Sequence, residues 1–250
     1  ENRHIMQNLN YGVIGNCSTA ALISEKGAIE WLCFPEFDSP SVFAAILDRQ
    51  KGGHFGFKVT SDYKVTQSYV PHTNILSTHF ESEEGAFDVV DFMPCYPTSD
   101  GKDFYRPAEI YRYIRWAKGR PRMKVDYRPA PNYARGKTIY NVTSQYVETY
   151  SSVENKDRQY LYSSLDLKKV VNHDEITLEK DEFFLFSFNE KVIPVDIERE
   201  KLEYCRTLVY WLNWTDHAKR YTRYNEVIER SMLVLKLMTY RNGAVMAAVT

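Results

Sequence analysis

Long apolar runs are missing from this 250-residue chain. No window approaches the roughly 20 residues that a membrane helix needs, and the polar opening from Glu1 to Tyr11 holds no apolar signal region. Charge of one sign is missing too. With 32 basic and 33 acidic residues the net charge is −1, so no long-range field draws the chain to nucleic acid or to a membrane surface. Cysteine is scarce. Cys17, Cys33, Cys95 and Cys205 form no C-x-x-C pair, which argues against a zinc site, and they are too few for a disulfide scaffold. Buried thiols in a reducing cytoplasm are the expectation. The sequons at Asn16, Asn141 and Asn213 then read as chance matches. No two of the six histidines sit at metal-ligand spacing on one helix, so no metal is expected. There is no P-loop, and Gly12-Val-Ile-Gly15 is too little for a dinucleotide fingerprint, so no cofactor is implied.

What is present is aromatic and β-forming. Aromatics make up 14% of the chain, with 19 Tyr and 13 Phe, as suits broad side chains packed on a pleated surface. Short apolar runs alternate with turns. Thr19 to Ser24 and Ala28 to Phe34 flank Glu25-Lys26-Gly27, where glycine supplies the positive φ of a bulged hairpin. Ile75 to Phe80 pairs in the same way with Ala86 to Met93, and Glu109 to Trp116 with Met123 to Tyr127. Further strands are expected at Thr138 to Glu148, Arg158 to Ser163, Glu175 to Glu179, Glu182 to Phe188 and Val192 to Ile197. The basic stretch from Arg112 to Arg128 reads as the exposed side of two alternating strands. One short helix is expected at Ser41 to Leu47, after Pro40. The pattern implies a mainly β, antiparallel two-sheet sandwich rather than a parallel α/β sheet.

Near Asp196 the period changes. Leu202, Cys205, Leu208, Val209 and Leu212 recur at helical spacing, as do Val227, Ile228, Met232, Leu235 and Met238. Two amphipathic helices are expected, at about 198–217 and 222–239, and Gly243 reads as a stop signal. Two helices cannot enclose a core, so they must lie on the β domain, on another domain or on another chain.

No catalytic residue can be singled out. A glycosidase needs two carboxyls facing each other across a sugar, and no acidic pair stands out. The most distinctive polar segment is the Pro-bounded loop Phe34-Pro35-Glu36-Phe37-Asp38-Ser39-Pro40. Extended, it would aim Glu36 and Asp38 the same way, as the edge of a groove. Alternatively it is a turn in which Asp38 caps the Ser41 helix.

The stretch Tyr11-Gly-Val-Ile-Gly15-Asn-Cys-Ser, followed by Gly27-Ala-Ile-Glu-Trp31-Leu-Cys-Phe-Pro35-Glu-Phe-Asp-Ser-Pro40-Ser-Val-Phe-Ala-Ala-Ile-Leu-Asp48, resembles the opening of microbial members of glycoside hydrolase family fifteen. That family includes glucoamylases, glucodextranases and trehalases. Val90-Asp-Phe-Met-Pro94, the hairpin from Tyr111 to Pro129, Trp211 to Trp214, Glu229 to Tyr240 and Gly243 to Thr250 match further family motifs in order. Two positions depart from the pattern: Asn16 replaces the usual Asp, and Glu36 the usual Arg.

The resemblance implies a galactose-mutarotase-like supersandwich over 1–195, a helical linker over 196–242 and, over 243–250, the start of an (α/α)₆ catalytic barrel. That barrel would be the partner of this domain. It would cleave an α-glucan or glucoside with inversion, using two glutamates beyond Thr250. In this chain the resemblance leaves Phe34, Glu36, Phe37, Asp38 and Ser39 as a loop at a pocket edge or domain interface. Alone, the chain is expected to be inactive. The alternatives are a free-standing carbohydrate-binding module, with Trp31 or Trp116 as its probe, and a structural domain whose helices pack on another chain.

Overall fold

A computed structural model describes residues 10–153, 156–240 and 242–248. Among these the chain opens with β1 (Tyr11–Gly15), β2 (Ala20–Ser24), β3 (Ile29–Cys33), β4 (Ser41–Phe43), β5 (His54–Lys58) and β6 (Lys64–Tyr69). Then come β7 (Leu76–Ser82), β8 (Gly85–Phe92), β9 (Tyr96–Pro97), β10 (Phe104–Tyr105), β11 (Glu109–Gly119) and β12 (Arg122–Arg128). Next are β13 (Thr138–Val142), β14 (Val147–Ser151), β15 (Gln159–Ser163), α1 (Leu167–Asn172), β16 (Glu175–Thr177) and β17 (Glu182–Phe188). The helices α2 (Ile197–Asp216) and α3 (Asn225–Leu237) follow.

The strands form two large antiparallel sheets. The first runs β1-β2-β3-β5-β12-β16, with β4 beside β3; the second runs β13-β14-β15-β17-β11-β8-β7-β6. Inward-facing side chains of both sheets share one core, including Ile23, Phe55 and Tyr127 from the first and Phe80, Ile114, Leu161 and Phe186 from the second. Phe55 meets Tyr127 and Phe184 edge-on, at centroid distances of 5.2 and 5.4 Å. The expected mainly β sandwich is therefore the observed one.

The β2–β3 hairpin forms as its sequence suggests. Gly27 has φ +74°, its N–H donates to the Ser24 carbonyl at 2.8 Å, and the register slips between Leu22 and Ile23. Other expectations were overturned. Ser41 to Leu47 is not a helix: Ser41–Phe43 is strand β4, and the Val42 carbonyl accepts from Ala130 N–H at 2.9 Å. Its residues are buried on both faces, which a helical stripe would not allow. Thr138 to Glu148 is two strands, because Thr143 folds back and its Oγ1 accepts from the Tyr146 N–H. Val192 to Ile197 is not a strand: 192–196 is irregular, anchored by the Val192 N–H on the Tyr162 hydroxyl at 3.1 Å, and Ile197 opens α2. Helix α1 was not foreseen; Asp166 caps its start and His173 closes it in the left-handed conformation.

The largest correction concerns Arg112, placed by sequence on an exposed strand face. It is fully buried between the sheets. Its Nε donates to Asp91 Oδ1 at 2.7 Å and its Nη1 to the Phe55 carbonyl at 2.6 Å. Burial pushes the Asp91 carboxyl up and the adjoining guanidinium opposes that shift.

Candidate functional site at the junction of sheet, loop and helices

Helix α2 starts where Asp196 accepts the Arg199 N–H at 2.8 Å, with Glu198 and Glu200 in the first turn against the helix dipole. It lies on the outer face of the second sheet. There Tyr210 and Trp211, with Leu233 of α3, pack on Phe92, Tyr111, Tyr162 and Leu185. Strand β17 is consequently buried on both faces, which explains its unbroken apolar run Phe183-Phe-Leu-Phe186.

The polarity of α2 is reversed. Glu200, Glu203, Thr207 and Thr215 are buried against the sheet, while Leu202, Val209 and Leu212 are 48%, 63% and 39% exposed. Cys205 belongs to this outward stripe, so the expectation of buried thiols holds only for Cys17, Cys33 and Cys95. On α3, Val227 and Leu235 are likewise exposed. The apolar positions that defined α2 in the sequence thus point largely away from the domain, whereas those of α3 divide, with Val227 and Leu235 exposed, Ile228 and Met232 half-buried and Met238 buried.

Beneath α2 lies an acidic network. Tyr111 donates to Glu109 at 2.8 Å, Arg199 Nε donates to the Tyr111 hydroxyl at 3.1 Å, and Tyr96 donates to Glu203 at 2.7 Å. Glu200 is sealed from solvent, and neither carboxyl oxygen has a hydrogen-bond partner among the described residues. Burial, then the neighbouring Asp91 and Glu203, hold its carboxyl well above the ordinary value. Burial raises Glu109 as well. Beside this network a cavity of about 1320 Å³ opens between α2 and the β9–β10 hairpin, lined by Tyr96, Phe104, Tyr105, Arg199, Glu203 and Trp214 among others.

The loop singled out by sequence lies at the other end of the junction. It turns rather than extends: the Ser39 N–H donates to the Glu36 carbonyl, and Ser39 Oγ accepts from the Glu36 N–H, both at 3.1 Å. With no helix at Ser41, Asp38 caps nothing there. The two aromatic residues are anchors. Phe34 stacks on Phe186 in the inter-sheet core at 5.8 Å. Phe37 is buried with Leu237 and Met238, its ring 5.9 Å from Tyr240. Glu36 and Asp38 are exposed. The segment resting on Phe37 folds back on itself, with Met246 N–H on the Met238 carbonyl at 2.9 Å. Helix α3 ends at Leu237, and Gly243 serves this later turn, at φ +84°, rather than the helix stop.

Asn16, the departure from the Asp of the resembling family, is buried and uses its amide fully. Its Oδ1 accepts from Ser18 and Thr19 N–H, both at 3.1 Å, and its Nδ2 donates to the Pro107 carbonyl at 2.8 Å. A carboxylate could not make the last bond. Cys17 beside it donates to the Lys236 carbonyl at 3.4 Å, tying the β1–β2 turn to α3. The two tryptophans put forward as sugar probes differ in access, Trp116 being 38% exposed. Trp31 is buried, and Trp116 donates its Nε1–H to the Gly119 carbonyl at 3.0 Å. Sequence reasoning missed Glu200, Glu203 and Arg199; the only signal was three charged residues at positions that the helical register turns inward.

No group of three potential metal ligands occurs among the described residues, and no helix there is long and apolar enough to cross a membrane. Residues 7–155 match the family described as trehalase-like, N-terminal. Several relatives bear the name trehalase. The chain is 29% identical to one from Thermoplasma acidophilum, over 91% of this chain and 39% of that protein. It is 26% identical to one from Mycolicibacterium smegmatis, over 96% of this chain and 39% of that protein. A shorter match, 51% identical, covers 33% of this chain and 14% of trehalase 1 from Sulfolobus acidocaldarius. This chain thus spans about two fifths of the length of the longer-matching relatives.

Proposed function

The chain belongs to the trehalase-like N-terminal family, and from that premise we propose that it is the non-catalytic amino-terminal domain of an α-glucosidic-bond hydrolase. In this reading two glutamates outside the chain carry out inverting hydrolysis, and the domain braces the region that holds them. Trehalose is the first substrate to test, since the relatives bear the name trehalase. Maltose and soluble starch come next.

One observation carries the reading: the outward apolar stripe of α2, Leu202, Val209 and Leu212, is left uncovered by the described residues, as a face that packs on a further region would be. The Phe34–Ser39 loop, seated under the segment from Leu237 to Met246, would set the direction in which the chain continues. The chain alone should release no glucose from trehalose, maltose or starch; turnover by it would overturn the reading. In the full-length protein, Val209→Asp should lower trehalose turnover at least tenfold while leaving the circular dichroism of the isolated chain unchanged.

A second reading, a sugar-binding module, has one observation in its favour: the aromatic cavity beside Tyr96, Tyr105 and Trp214, with Arg199 and Glu203 in its wall. It predicts saturable quenching of Trp214 fluorescence by maltotriose, lost in Tyr105→Ala.

A further inference from the structure

The outer face of the first sheet holds a cavity that the junction does not use. Its volume is about 530 Å³, and its lining includes Arg49, Lys51, His54, Lys58, Asp126 and Arg128. Strand alternation puts these groups there. Phe55 and Phe57 of β5 enter the core, as do Val125 and Tyr127 of β12, so His54, Lys58, Lys124, Asp126 and Arg128 face out.

The pairing is costly unless it serves a purpose. Register sets Lys58 directly opposite Lys124 and His54 opposite Arg128, with Gly56 across from Asp126. Like charges directly opposite one another, as Lys58 and Lys124 are, are unfavourable. Asp126 offsets part of this cost by collecting donors. His54 Nε2 lies 2.8 Å from its carboxylate, Lys58 Nζ 2.7 Å and Arg128 Nε 2.6 Å, with His173 Nδ1 at 3.8 Å. Burial works against its ionisation, but Lys58, Arg128 and His54 outweigh that and hold the carboxyl far below its usual range. Arg49 and Lys51 enter no ion pair with a described residue. Asp48, in the same turn, is occupied by the Gln50 and Lys51 N–H groups at 2.8 and 3.0 Å. Four permanent cations therefore surround one saturated carboxylate, in a chain whose net charge is −1.

The rim is unusual as well. Asn132, Tyr133 and Ala134 all have positive φ, at 56°, 54° and 55°, a conformation that Asn tolerates but that is unfavourable for Tyr and Ala. The Tyr133 N–H on the Ser41 carbonyl at 3.3 Å and the Ala134 N–H on the Ala130 carbonyl at 3.1 Å hold this left-handed turn. It brings Ala134 and Gly136, with little or no side chain, to the cavity wall. Backbone strain of this kind gathers at ligand sites.

We propose that this cavity binds a phosphate-bearing small molecule, inorganic phosphate or a sugar phosphate, through Arg49, Lys51, Lys58 and Arg128. Asp126 orients Lys58 and Arg128 and does not touch the ligand. A tetrahedral dianion can accept from several of these donors at once and supplies the negative charge that the cavity lacks. A neutral sugar would leave Arg49 and Lys51 without a counter-charge, Lys58 and Arg128 being paired with Asp126.

The test is calorimetric titration of the whole chain with inorganic phosphate and, separately, glucose 6-phosphate, against chloride at equal ionic strength. Saturable binding that is weakened at least tenfold by Arg49→Gln with Lys51→Gln, in a protein that melts at an unchanged temperature, supports the site. Equal affinity for the two ligands assigns it to free phosphate, and at least tenfold tighter binding of glucose 6-phosphate assigns it to a sugar phosphate. No binding beyond that of chloride overturns the proposal. So does binding unaltered by the double variant and by Lys58→Gln.

Discussion

Arg112 meets Asp91 side-on, Nε to Oδ1 at 2.7 Å and Nη2 to Oδ2 at 3.1 Å, with both side chains shut off from water. The same guanidinium reaches the carbonyls of Phe55 and Gly27 and lies 4.7 Å from the Phe55 ring centre. One residue of the second sheet thus ties down strand β5 and the β2–β3 turn of the first. Arg112→Met leaves Asp91 as an unpaired buried charge, so it should cost about 3–5 kcal/mol. Adding Asp91→Leu should recover most of that loss. Urea midpoints of the two variants check this; equal midpoints would show that the buried charge is not what costs the stability.

Glu200 gives stability a pH slope of known sign. An unfolded glutamate titrates near its ordinary ~4.3, whereas the folded one titrates well above it. Between these values the folded state holds a proton that the unfolded state has lost, so stability falls as pH rises. Glu200→Gln removes that contribution. Its melting temperature relative to the parent should be higher at pH 8 than at pH 5, and parallel melting curves would contradict this.

The reversed polarity of α2 predicts an inverted mutational pattern. In the isolated chain Leu202→Lys and Val209→Lys should change stability by no more than about 0.5 kcal/mol. Trp211→Ala, on the buried side, should cost roughly 3–5 kcal/mol. A large loss from either lysine variant would mean that the stripe is covered within the chain itself.

Within the Phe34–Ser39 loop the effects should divide between neighbours. Phe37→Ala removes the support of Leu237, Met238 and Tyr240. Hydrogen exchange at the Met246 N–H should then accelerate, because its acceptor on Met238 is no longer held. Glu36→Ala and Asp38→Ala should leave that exchange rate unchanged.

The sandwich could be read in the sequence because most of its strands are bounded by turn residues and alternate in polarity, as in the hairpin at Gly27. The helices could be read from their period, but the period gave the apolar stripe without saying which way it faced. Leu202 and Val209 look like core residues in any window; only the seating of Glu200 and Trp211 on the sheet turns them outward. Arg112 was misplaced for a related reason. It sits in a run whose other basic residues face solvent, and its carboxylate lies 21 positions earlier, across a strand pair. The cavity at Asp126 depends on the β5–β12 register and on a left-handed turn at Asn132, neither of which has a local sequence signal.

Because β17 and its neighbours are covered by the first sheet on one side and by α2 on the other, the domain is a three-ply laminate with the second sheet as its middle ply. A protein shortened at residue 196, where the strand pattern stops, would lose the outer ply. It would bare Phe92, Tyr111, Tyr162, Phe183 and Leu185 together. Such a product would be sticky rather than minimal, so the smallest portion that can be handled in water extends through α2.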